Sequence, residues 1–322
     1  MRKFTSKLAP VIKEYLELRN TLGYSNRQED HLIMLDEYYS KHYPDLETMT
    51  KESVCGWLSY ETSRGRTGMY NKIGSIRMLA QYMGNGAYIL PVDSVPKQPK
   101  CIPYILTDNE LSRLFTAADD IKGNTPRAIK QMAPTLLRLL YTCGLRPPEA
   151  RLLKRNNINF TTGEILIEKA KGHRKHKERI IVMSDDMLAQ CRKYDIVRAI
   201  SNTQSEYFFA RADEAHLANH QLISLINVCW RQANPDVPTK ILPRIRPYDL
   251  RHRFASTLLQ KWISEGRDLY AMLPYMRAYM GHESFSATAY YIHMLPENLL
   301  NSAGVDWSSI DSVNPEVGIW KN

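Results

Sequence analysis

No stretch of this chain approaches the roughly 20 consecutive apolar residues that a bilayer-spanning helix needs. The basic start, Met1-Arg2-Lys3-Phe4-Thr5-Ser6-Lys7, has no apolar segment behind it of the kind a secretory signal carries. The expectation is a protein without a membrane anchor that stays in the cytoplasm. Cysteine is scarce: Cys55, Cys101, Cys143, Cys191 and Cys229 are odd in number and lack the close pairs of a zinc cage, so they read as reduced thiols, mostly buried. Internal repeats and low-complexity tracts are missing too. What remains is an ordinary globular composition, 43% hydrophobic and 24% charged, in 322 residues. At roughly 100 to 200 residues per domain, that length suits two domains.

The charge is unevenly placed. The chain carries a formal +9, which points toward a polyanionic partner. Residues 1 to 90 hold twelve Lys/Arg against ten Asp/Glu, but residues 91 to 180 hold seventeen against nine. The excess therefore lies in the middle of the chain, where a phosphate backbone would bind.

Helical spacing of Leu8, Val11, Ile12, Tyr15, Leu18 and Leu22, closed by Gly23, predicts a first amphipathic helix. Further helices are expected from about Arg27 to His42, after Thr50, and from Met69 to Met83, so that residues 1–90 form a small four-helix domain. Residues 91–106, with three prolines between Pro91 and Pro99 and no periodicity, read as a linker. Thr107 and Glu110 then form a capping box that opens a second domain over 107–300. Between Asn157 and Met183 the pattern changes to three short strands around Ile158, Ile165 and Ile180, with a loop rich in lysine and arginine from Lys171 to Arg179. The fold class is mostly α with a small antiparallel β-sheet. Residues 301–322 form a C-terminal tail.

Four sequence features stand in order across about 145 residues. Arg146 lies in Thr142-Cys143-Gly144-Leu145-Arg146-Pro147-Pro148-Glu149, and Lys171 lies in the basic loop. Arg251 lies in Tyr248-Asp249-Leu250-Arg251-His252, and Tyr291 follows Met280-Gly281-His282 by nine residues and precedes His293 by two. This set resembles the active site of the tyrosine recombinases of the phage integrase family. Cys143 interrupts the usual Thr-Gly-Leu-Arg, and Tyr248 stands where most relatives carry histidine.

The resemblance implies a catalytic α+β domain and, before it, a core-binding (SAM-like) helical domain that clamps DNA. It implies that Arg146, Arg251 and His282 hold a DNA phosphate, with a phosphate contact from Tyr248. Tyr291 would attack to leave a 3′-phosphotyrosine, and Lys171 would protonate the departing 5′-oxygen, with Lys175 the alternative acid and Tyr290 the alternative nucleophile. A phenol near pKa 10 makes Tyr248 a poor general base, and Glu149 is expected to be a buried partner of its turn. His252 is expected to pack or cap locally. No cofactor is implied, and His173 and His176 fall short of a metal site. The implied partner is double-stranded DNA at specific recombination sites, met by a homo-oligomer, a tetramer on synapsed DNA whose tail docks on a neighbouring subunit. Accessory DNA-bending or element-encoded proteins would join it, in a bacterial-type, nucleoid-associated setting. The Tyr248 variant and the paired Tyr290-Tyr291 resemble integrases of transposons and other mobile elements. The alternatives are a catalytically silent DNA-binding protein on this scaffold and a type IB topoisomerase.

Overall fold

The computed structural model describes residues 4–24, 28–64, 68–84, 86–91, 94, 102–168, 178–201 and 204–292. Two compact units divide the chain at residues 101 and 102. The first contains α1 (Ala9–Thr21), α2 (Glu29–His42), α3 (Lys51–Ser63) and α4 (Met69–Met83). Their apolar faces meet in a core centred on Leu8, Ile12, Leu32, Leu35, Tyr39, Trp57, Ile73 and Leu79, all fully buried. Local chemistry sets the boundaries of these helices. The Thr50 hydroxyl accepts from the Ser53 N–H at 3.2 Å while Ser53 Oγ accepts from the Thr50 N–H at 3.1 Å, which satisfies two donors that a helix start leaves open. Asp36 accepts from the backbone N–H groups of Thr5 (2.7 Å) and Ser6 (3.0 Å), tying the chain start to α2.

The second unit runs through α5 (Asp108–Asp119), α6 (Arg127–Thr142), α7 (Pro147–Arg151), a 3-10 turn at Arg155–Asn157, β1 (Glu164–Ile167) and β2 (Arg179–Val182). It continues through α8 (Asp185–Ile200), α9 (Asn219–Ala233), α10 (Pro247–Ser264), α11 (Leu269–Met280) and α12 (Phe285–Ala289). The predicted capping box opens α5: Thr107 Oγ1 accepts from Glu110 N at 3.3 Å, and Glu110 accepts from Thr107 N at 2.8 Å. α6 is the axis of this unit, packed by α5, α8 and α10 around Met132, Ala133, Leu136, Leu137, Leu139 and Leu140. A second cluster, with Ala255, Leu259, Trp262, Leu273 and Met276, joins α10 to α11 and takes in Tyr291.

β1 and β2 pair antiparallel, Ile165 opposite Ile181 and Ile167 opposite Arg179. Ile165 and Ile181 face the core, while Ile180 and Val182 face out, as the two-residue period of a strand requires. Among the described residues the expected third strand shrinks to one bridge between Ile158 and Ile165. The Asn159 side chain accepts from the N–H groups of Thr161 (2.9 Å) and Thr162 (3.1 Å), closing the chain into a tight turn before a strand can extend. No helix among the described residues is long and apolar enough to cross a membrane.

One polar pair is sealed inside the first unit. Lys72 Nζ sits 2.8 Å from a Glu61 oxygen, and both side chains are almost fully buried. Removing one partner of such a pair costs about 3 to 5 kcal/mol, because the remaining charge is left in an apolar setting. Lys72→Met is therefore expected to lower the urea midpoint of the first unit, followed through Trp57 fluorescence. Adding Glu61→Leu should recover most of the loss; a loss below about 1 kcal/mol in the single variant would contradict the burial argument.

Candidate active site

The site is built where α6 ends and α7 begins. The chain reverses through Gly144, whose φ of 56° lies in the left-handed region and where any Cβ would collide with the ring of Phe254. Arg146 is the residue before α7, and Glu149 accepts from its backbone N–H and its Nη1, both at 2.8 Å. The same carboxylate accepts from Arg179 Nη1 at 2.9 Å and Nη2 at 2.8 Å. Burial by itself would raise the Glu149 carboxyl, but the Arg179 hydrogen bonds and charge, helped by Arg146, hold it near 2.

Arg251 enters from α10 and is only 2% exposed. Its Nη1 donates to the Gly144 carbonyl at 2.6 Å, and its Nη2 donates to the Met280 carbonyl at 2.7 Å. Arg146 Nη2 donates to the Gly281 carbonyl, and Arg179 Nε donates to the Tyr279 carbonyl at 2.8 Å. Three guanidinium groups thus cap the C-terminal carbonyls of α11, the end of a helix that favours positive charge. Gly281 makes this approach possible. Its φ is 64°, and a Cβ there would lie 2.9 Å from Arg179 Nη1 and 3.2 Å from Arg146 Nη1.

His282 follows directly. Its Nε2 lies 3.0 Å from Arg251 Nη2, and its Nδ1 lies 2.9 Å from the hydroxyl of the fully buried Thr288. An arginine can only donate, so Nε2 accepts and the ring proton belongs on Nδ1. Burial, then the charges of Arg251, Arg146 and Arg179, lowers His282 to about 3. Burial also lowers Arg251, to about 10, where it remains charged at neutral pH.

Tyr291 is 4% exposed and its ring stacks on His282, centroids 5.7 Å apart and planes 14° apart. His252 lies on another side of it at 5.4 Å. Burial raises the Tyr291 phenol above its ordinary value even though Arg251 and Arg146 pull it down, so the resting hydroxyl holds its proton. Tyr290, by contrast, is 44% exposed. Of the sequence candidates, Arg146, Arg251, His282 and Tyr291 come together. Tyr248 lies one turn before Arg251 on α10, 42% exposed, and its phenol makes no hydrogen bond among the described residues. Lys171 and Lys175, with His173, His176 and His293, lie outside the described residues.

Residues 105–298 match the phage integrase family. The chain belongs to that family. Tyrosine recombinase XerC of Oceanobacillus iheyensis is 28% identical over 302 residues, 89% of this chain and 91% of that protein. The Tn1549 transposon integrase, solved in complex with transposon right end DNA, shares the fold with a TM-score of 0.63 at 12% identity, over 90% of this chain and 96% of that one. The XerH recombinase in a pre-cleavage complex with its difH substrate gives 0.57 at 19% identity, over 82% and 75%. By family and relatives the protein is a site-specific tyrosine recombinase, with the mostly helical fold and small antiparallel sheet expected of one.

One member of this candidate site, Arg179, is not evident in the sequence. Arg179, which closes the basic loop in the sequence pattern, is the first residue of β2 and turns inward to Glu149. Thr288, which the closing motif contains, orients the His282 ring. The nearest sequence signal for Arg179 is the carboxylate of Glu149, which one arginine alone does not fully occupy. His252 packs against Tyr291 as expected, and its Nδ1 has no partner in the described structure.

Burial lowers His252 to about 4, from an ordinary value near 6.5. An imidazole with a depressed folded value takes up its proton in the unfolded chain first, so stability present above pH 6.5 is lost as pH falls toward 4. Urea unfolding of the recombinase is expected to weaken over that window, and His252→Phe should make the slope shallower. An unchanged slope would assign the effect to other groups.

Proposed function

We propose that this recombinase breaks and rejoins double-stranded DNA at specific sites through Tyr291. In this reading Arg146, Arg251 and His282 hold the scissile phosphate, with Tyr248 as a further contact from α10. The phenol oxygen of Tyr291 attacks phosphorus, its proton passes to His252, the flanking imidazole whose Nδ1 has no partner among the described residues, and the bond from phosphorus to the 5′-oxygen breaks. Lys171, or Lys175 beside it, supplies the proton to that oxygen. The 3′-phosphotyrosine keeps the bond energy, so a second 5′-hydroxyl can reverse the step without ATP. The observation that carries the reading is the burial of Tyr291 among two arginines and two histidines while its neighbour Tyr290 faces outward.

An arginine fork suits the phosphate because its donors lie in one plane and stay charged. In the resting protein those donors are spent on backbone carbonyls and on His282 Nε2, which fixes their aim before DNA arrives. The four-helix unit would clamp the DNA, and residues 301–322 would dock on a neighbouring subunit of a tetramer. The paired tyrosines and Tyr248 support a mobile-element integrase, working with DNA-bending or element-encoded partners.

Nicked suicide duplexes carrying candidate element ends test the chemistry. Wild type and Tyr290→Phe are expected to form a DNA adduct that survives denaturation, in the presence of EDTA, and Tyr291→Phe is expected to form none. Adduct from Tyr291→Phe, or loss in Tyr290→Phe alone, would reassign the nucleophile. For the acid, Lys171→Ala should slow cleavage by about 100-fold or more. A substrate with sulfur in place of the bridging 5′-oxygen, which leaves without a proton, should restore the rate. Rescue of Lys175→Ala instead would move the role.

A further inference from the structure

The far end of α6 from Arg146 opens into a cavity of about 310 Å³, lined by Arg127, Gln131, Tyr194, Arg198, Arg211 and Glu214, among others. α6 is 16 residues long, so at about 1.5 Å per residue this cavity lies roughly 24 Å along the helix from the catalytic turn. The start of α6 follows Pro126, whose own side chain makes no cap, and among the described residues no side chain accepts from its first N–H groups. Its first N–H groups are therefore left for another acceptor, at the helix end that attracts anions.

Arg198 is the second and independent observation. It is nine-tenths buried, its Nη2 donates to the carbonyls of Ser205 and Tyr207, and its buried Nε has no partner among the described residues. Among the described residues no carboxylate pairs with it; the nearby Asp195 is taken by Arg155 at 2.7 Å. A buried guanidinium without a counter-charge is unfavourable. Arg211 is matched by Asp213, and Glu214 accepts from the Gln204 N–H at 3.2 Å. That leaves three arginines against two carboxylates around the opening.

We propose that this cavity is an accessory binding site for a small phosphate ester. The phosphate would be taken by Arg127, Arg198 and the first turn of α6, since two guanidinium forks and backbone N–H groups together suit an oxyanion with several acceptor oxygens. The cavity is larger than a bare oxyanion fills, and Ala128, Ala210 and Ala212 give it small apolar walls that suit the group carrying the phosphate. The site is separate from the catalytic arginines, so it stands or falls independently of the cleavage chemistry.

Calorimetric titration of the full-length protein with adenosine 5′-monophosphate, and in competition with inorganic phosphate, tests it. Wild type and Arg146→Ala are expected to bind the nucleotide alike, with inorganic phosphate competing. Arg127→Ala and Arg198→Gln are expected to weaken binding at least tenfold. Arg198 also holds two backbone carbonyls, so the exposed Arg127 is the deciding variant if Arg198→Gln fails to fold. Absence of nucleotide binding, undiminished binding in Arg127→Ala, or loss in Arg146→Ala would each overturn the proposal. So would binding of inorganic phosphate alone.

Discussion

The active-site region depends on one carboxylate. Glu149 lies between Arg146 and Arg179 and accepts four hydrogen bonds from them, one of them from the Arg146 backbone. Without it, three guanidinium groups would share a largely buried volume with no counter-ion, and desolvation costs several kcal/mol per charge even after relaxation. The depressed titration of Glu149 reports the same fact from the carboxylate's side: burial pushes its proton on, and the two arginines more than reverse that. A recombinase needs positive charge ready at a phosphate, and one internal carboxylate is what lets that charge stand in place beforehand.

Backbone carbonyls do the rest of the positioning. Those of Gly144, Tyr279, Met280 and Gly281 each take a guanidinium donor, so the turn after α6 and the end of α11 are drawn onto the same three side chains. His282 follows that helix end directly, and Tyr291 follows after α12. The group that would attack and the groups that would hold the phosphate are consequently parts of one packed block. Sites on rigid elements supported in this way hold geometry better than sites on free loops.

Much of this architecture is readable locally. The Thr50 and Thr107 caps and the left-handed glycines at helix ends are decided within a few residues, because a helix start needs acceptors and a helix end needs a residue that tolerates positive φ. The order of Arg146, Arg251, His282 and Tyr291 is legible for a different reason, the family pattern. The expected third strand fails because alternating apolar residues at Ile158 and Phe160 are equally compatible with a chain that turns at Asn159, and the side-chain hydrogen bonds there favour the turn. Arg179 is hidden because its partner lies 30 residues away and nothing in a basic run marks the one residue that points inward.

The sequence by itself determined the helical framework, the excess of basic charge, and the set of residues proposed for phosphoryl-transfer chemistry. These follow from periodicity, capping and residue type, which are properties of neighbours along the chain. The tertiary structure decided which of two adjacent tyrosines is enclosed, which arginine of the basic segment joins the cluster, and which protonation states His252, His282 and Glu149 hold. Each of these depends on burial and on charges brought close from distant segments, and no local pattern encodes a distance between them.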